Sequence, residues 1–171
     1  MASPTDYDVR QVVDAMLAAP KTLAGVADWR THYGETKARW RKPCLFQGEV
    51  TQFEVEVQAY PLSEYLKFRI ILIFGKVIWR LDFCNTDGHV NSLNRPTELP
   101  PGPIHDPHYH AWVDNRRFAT KVSLPSELDN ANILPANVRS FESAFRWFCG
   151  ETNIVVPTLE MPQLPPRARL I

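Results

Sequence analysis

The sequence is poor in the features that settle a protein's class at a glance. Its three cysteines, Cys44, Cys84 and Cys149, are far apart and form no C-x-x-C pair. That excludes a zinc ribbon and a disulfide framework. Apolar runs such as "IILIF" (70–74) fall far short of the ~20 residues a membrane helix needs. Neither sign of charge is in excess, with 19 Lys+Arg against 19 Asp+Glu. No global field therefore draws in nucleic acid or an anionic membrane, and such binding would need a local patch. The opening "MASPTDYDVR" carries acids where a signal peptide carries an apolar core. These absences predict a cytoplasmic protein with no membrane partner.

What is present suits one domain: 171 residues, of which 44% are hydrophobic. Residues 7–19 place Val9, Val12, Val13, Met16 and Leu17 on one helical stripe, with Thr5 or Asp6 as cap and Pro20 as stop. Residues 53–60 and 65–70 alternate apolar with polar, as strands do. Gly75-Lys76 suits a two-residue hairpin turn with Gly75 at φ > 0. That turn predicts the pairs Phe74–Val77, Leu72–Trp79, Ile70–Leu81 and Phe68–Phe83 on one face and Arg69–Asp82 on the other. If Tyr60 opposes Tyr65, Val57 meets Phe68, Val55 meets Ile70, and a Glu56–Arg69–Asp82 row crosses the polar face.

Residues 84–107 hold five prolines and little periodicity, and a link of that length inside a domain is usually functional or disordered. "HYHAWVD" and "RFATKVSL" read as short strands. Residues 140–153 read as a helix with Phe141, Ala144, Phe145 and Phe148 on one face, Ser140 capping and Gly150 ending it. The expected fold is α+β: an antiparallel sheet of three to five strands covered by an N-terminal and a C-terminal helix. The expected organisation is a single domain over 1–156 and an extended Pro-rich tail over 157–171. Within that tail "PQLPPR" fits the P-x-x-P-x-R pattern of polyproline ligands.

Four of the five histidines fall in one segment, His89, His105, His108 and His110. On a strand His108 and His110 face one way, with Tyr109 and Ala111 on the other side. Two such imidazoles can chelate a divalent metal, Zn or Fe, or act as proton donor and acceptor. His108, His110 and Asp114 are the candidate metal ligands, and His89, His105, Asp106 and Cys84 could complete a shell. His108, His110, His89 and Arg116 are the candidate catalytic residues, Arg116 steadying an anionic group. Gly102, His108 and His110 also fit the spacing of the first cupin motif, with Asp114 in place of its Glu; its second motif is missing. A polar loop with Tyr109 and Trp112 turned inward is the structural alternative. The run at 29–42 interleaves Trp29, Tyr33 and Trp40 with Arg30, Lys37, Arg39, Arg41 and Lys42. Of these, Trp29, Arg39, Trp40 and Arg41 are the candidate nucleic-acid contacts.

Residues 79–154 resemble an uncharacterised family of small bacterial and prophage proteins with an R-L-D strand, an H-x-N element, an H-x-H strand and a closing aromatic helix. The matching positions are Arg80, Leu81, Asp82, His89, Asn91, His108 and His110. Cys84-Asn85 stands where that family often has a Gly pair, and the loop after H-x-H is shortened. The resemblance implies a bacterial or phage source and no particular activity. Two functions remain open. One is a small intracellular hydrolase or nuclease-like enzyme built on the histidines. The other is a non-catalytic module binding a protein or nucleic-acid partner.

Overall fold

The computed structural model describes residues 7–31, 36–84, 88–105, 107–157 and 160–166. Thr5, Asp6, Tyr33, Asn85, Asp106 and Arg167, named above, lie outside them. Strands β1 (Lys21–Leu23), β2 (Ala38–Phe46), β3 (Glu49–Ala59), β4 (Phe68–Phe74), β5 (Lys76–Phe83), β8 (His108–His110), β9 (Asn132–Ile133) and β10 (Ile154–Val155) form one sheet in the order β10-β1-β2-β3-β4-β5-β8-β9. Every neighbouring pair is antiparallel except β1 with β10. Strands β6 (His89–Val90) and β7 (Pro103–Ile104) make a separate ribbon. The helices are short: α1 (Val9–Ala18), α2 (Trp112–Asn115) and α3 (Phe141–Glu151).

This corrects the expected three- to five-stranded antiparallel sheet with two covering helices: the protein is mostly sheet, eight strands and mixed. The largest omission, β2, is hidden by composition. Its inward positions are Ala38, Trp40, Lys42 and Cys44, so a lysine interrupts the apolar set. Pro43 reads as a strand breaker, yet it sits beside a register shift, where the missing N–H costs least. Strands β1, β8, β9 and β10 have two or three residues, too few for any period. "HYHAWVD" is strand only as far as His110, and Trp112 then opens α2. "RFATKVSL" is not a strand; a 3-10 turn at Arg116–Phe118 leads into irregular chain.

One face of the sheet carries the core. Phe68, Ile70 and Leu72 of β4 are fully buried there with Val55, Val57 and Leu81. Helix α3 lies across it through edge-on contacts of Phe141 with Phe68, Phe145 with Trp40 and Phe148 with Trp79. Helix α1 adds Val9 and Val13, and its cap is Asp8, which accepts from the Arg10 amide. Lys21, just past Pro20, donates to the carbonyls of Met16 (2.6 Å) and Ala19 (2.9 Å) and so caps the other end. Ser140 and Ser143 form a capping box on α3, which continues past Gly150 to Glu151.

The opposite face is polar around β4, β5 and β8. Arg69 pairs with Asp82, Asp82 with His108, and Arg80 with His110. The segment 88–105 folds over this face and buries Asn91, Leu99 and Ile104.

Candidate metal centre

The β5–β8 register sets the site. Because Leu81 pairs with Tyr109 toward the core, where Trp79 stacks on Tyr109, the flanking pairs Asp82–His108 and Arg80–His110 must face the other way. His89 arrives from β6 on the covering segment. The three rings lie together, with centroid separations of 4.6 Å (His89–His110), 5.2 Å (His108–His110) and 5.6 Å (His89–His108). Each ring offers a nitrogen within 4.8 Å of the others.

The position of His89 depends on an asparagine network. Asn91 donates to the carbonyls of Pro100 and Ala131 and accepts from the Ala131 amide at 2.6 Å. Asn115 holds the backbone of Asn130 from both sides, accepting from its amide and donating to its carbonyl. Asn130 in turn donates to the Asp114 carbonyl. These bonds fasten the covering segment to α2 and to residues 129–131. The Asp129 carbonyl then sits 3.0 Å from His89 Nε2. A carbonyl can only accept, so Nε2 carries the proton and Nδ1 presents its lone pair.

Asp82 lies behind the other two rings. Its Oδ2 is 3.7 Å from His108 Nε2 and 3.5 Å from His110 Nε2. Arg69 Nε and Arg80 Nε each approach one of its oxygens at 2.5 Å. Burial by itself raises the Asp82 carboxyl, but His110, Arg80 and Arg69 together hold it well below the usual carboxylate range. His110 is fully buried, and burial pushes its imidazole down to about 4. Arg80 Nη2 stands 2.7 Å from His110 Nε2. A guanidinium has only donors, so in the neutral ring Nε2 accepts and Nδ1 carries the proton; a metal on His110 would have to displace Arg80 from Nε2 or the proton from Nδ1. His110 Nδ1 is buried without a hydrogen-bond partner. Burial lowers His89 as well, with the neighbouring Arg80 acting the same way and the Asp129 carbonyl acting against them.

Three imidazoles, one of them held neutral, over a carboxylate and a backbone carbonyl form a donor set suited to Zn²⁺ or Fe²⁺. A cleft of about 380 Å³ opens beside His89, lined also by Arg80, Ser92, Glu127 and Asp129, with His108 and His110 buried behind it.

Of the residues singled out in the sequence, the structure therefore brings His89, His108 and His110 together. Asp114 is not with them; it sits half-buried in α2, where burial and Glu98 raise its carboxyl. Arg116 faces away, gripping Asp14 of α1 with Nε (2.9 Å) and Nη2 (2.7 Å). His105 is exposed against Gly88. The helical turn that follows β8 carries both Asp114 and Arg116 off the strand direction assumed for them. The four candidate nucleic-acid contacts do not share a surface. Trp40 is 3% exposed in the core, Arg41 pairs with Glu54 and Glu56, Arg39 lies on the same face as Arg41, and Trp29 donates to the Gln163 carbonyl. Arg80 and Asp82 were legible as a strand pattern, but only the pairing of β5 with β8 makes them part of the site.

No family model, curated protein or solved structure matches the chain. The resemblance to the R-L-D, H-x-N and H-x-H family rests on the sequence pattern alone.

Proposed function

We propose that the protein is a small cytoplasmic hydrolase, nuclease-like in its chemistry, that works with a divalent metal held by His89, His108 and His110. The observation that carries this reading is the convergence of three ring nitrogens within 4.8 Å on the face of the sheet away from the core. Such a metal supplies a Lewis acid and a bound water acidic enough to attack near neutral pH. The protein's own groups do the rest. The Asp129 carbonyl orients His89, and Asp82 places a carboxylate behind His108 and His110. Arg80 stands in the cleft beside His89 and takes the role first given to Arg116, steadying an anionic oxygen of the substrate. Zinc is favoured over iron because three imidazoles are a ligand set of catalytic zinc, whereas non-haem Fe(II) sites take two histidines and a carboxylate.

The cytoplasmic setting agrees with three free, buried thiols. No helix among the described residues is long and apolar enough to cross a membrane.

The test is metal analysis of the purified protein together with hydrolysis of bis(p-nitrophenyl) phosphate. Near-stoichiometric zinc and zinc-dependent turnover are expected, and both should vanish in a His108→Ala, His110→Ala double variant. A metal-free protein whose double variant keeps every measurable activity would overturn the proposal and leave the binding-module reading.

A further inference from the structure

Lys42 is a lysine on the core face with no counter-ion among the described residues. It is 5% exposed, and its Nζ lies 5.5 Å from the centroid of Trp40. Among the described residues no hydrogen bond or ion pair reaches it. The strand explains how it came there. Alternation along β2 turns Trp40 and Lys42 to the core face and Arg39 and Arg41 to the other, and Lys42 is paired with the apolar Val55. Arg41 finds Glu54 and Glu56. Lys42 finds only a π face, which compensates an ammonium in part. The lysine nitrogen is not itself sealed off, and it opens on the space beside it, where an anion can meet it.

Space for that anion lies next to it. A cavity of about 600 Å³ is bounded by Leu23, Trp29, Trp40, Lys42 and the tail segment from Glu160 to Gln163. That is the size of a small-molecule pocket. Its roof is fixed: Trp29 Nε1 donates to the Gln163 carbonyl at 2.6 Å, Pro162 is buried, and Met161 and Leu164 pack against the core. The tail thus covers the part of the sheet face that α3 leaves open. Asp28 and Glu160, both exposed, also line the cavity.

We propose that this cavity is a binding site for a small organic monoanion with a flat apolar body, whose acid group takes Lys42 as its counter-ion. The tryptophan and proline walls suit the flat body. The two carboxylates among the lining residues disfavour a second negative charge. The site is on the sheet face opposite the histidines and does not depend on the hydrolase reading.

The experiment is a titration of the ¹⁵N-labelled full chain with 2-naphthoate, 2-naphthamide and naphthalene-2,6-dicarboxylate, read at the tryptophan indole N–H signals. Naphthoate should shift the Trp29 signal saturably at one molecule per chain, with the amide and the diacid binding at least ~10-fold more weakly. Lys42→Met should reduce naphthoate to the affinity of the amide, and Lys42→Arg should restore most of it. Equal binding of naphthoate and naphthamide overturns the proposal, as does the absence of a saturable shift or an undiminished affinity in Lys42→Met. If Lys42→Met does not fold, the comparison of acid with amide on the native chain decides the charge requirement alone.

Discussion

Replacing Asp82 by Asn would keep the side chain's size and remove the one carboxylate that Arg69, Arg80 and two buried imidazoles all face. Both arginines reach water, so the loss should sit at the low end for a broken buried pair, ~3 kcal/mol in urea unfolding. Zinc affinity should fall by roughly 10–100-fold, the usual effect of removing an outer-shell partner. His110 gives a second expectation, for the metal-free protein. Its folded value of about 4 lies below the ordinary 6.5 of the unfolded chain. Between those two values the unfolded state binds more protons, so stability rises with pH. The stabilisation is complete above pH 6.5 and is lost as pH falls toward 4, at a slope of up to ~1.4 kcal/mol per pH unit. Asp82 stays ionised throughout, since it is held below that window. Urea midpoints measured across it should show the slope in the native protein and a flatter line in His110→Gln.

At the scale of elements, the covering segment 88–105 is the part most exposed to a single change. Asn91→Leu deletes three bonds to Pro100 and Ala131. The sheet should survive, as seen by far-UV circular dichroism, while exchange of the Ala131 amide speeds up and zinc binding is lost with the placement of His89. Ser140→Ala removes the capping box of α3 and should cost ~1 kcal/mol. The strands show what could be read from sequence and what could not. The β4–β5 register came out as expected for Leu72–Trp79, Ile70–Leu81, Arg69–Asp82 and Phe68–Phe83, because the chain reverses tightly at Gly75, observed at φ +65°, although Gly75 alone and not the expected Gly75-Lys76 pair lies between the strand ends. Only the end pair differs: a shift beside Ile73 sets Phe74 against Lys76. The β3–β4 register did not. Val57 pairs with Ile70 and Val55 with Leu72, two residues from the expected pairs, so Gln58 rather than Glu56 stands opposite Arg69. A slip of two keeps every side chain on its face, so the hydrophobic pattern is blind to it. The same limit applies at the site. His108 and His110 were visible as a pair on one face, but their partner strand and the arrival of His89 depend on contacts distant in sequence.

Considered whole, the molecule is one sheet whose two faces carry different chemistry. Trp40 and Lys42 lie on the core face at β2, under the tail; His108 and His110 lie on the other face at β8, with Arg80 and Asp82 of β5 beside them. Four strand spacings separate β2 from β8 in the sheet order, ~19 Å at ~4.8 Å each. Among the described residues, none lines both the tail cavity and the histidine cleft. Changes at the two places should therefore add. In a double-mutant cycle, Lys42→Met and His108→Ala should give unfolding free energies whose sum matches the double variant within ~0.5 kcal/mol. Zinc should raise the unfolding midpoint of Lys42→Met as much as that of the native chain, since the metal binds only the folded state through residues that Lys42 does not touch. A coupling of ~1 kcal/mol or more would mean that the strands between the two places transmit strain from one face to the other, and that the faces cannot be treated as separate sites.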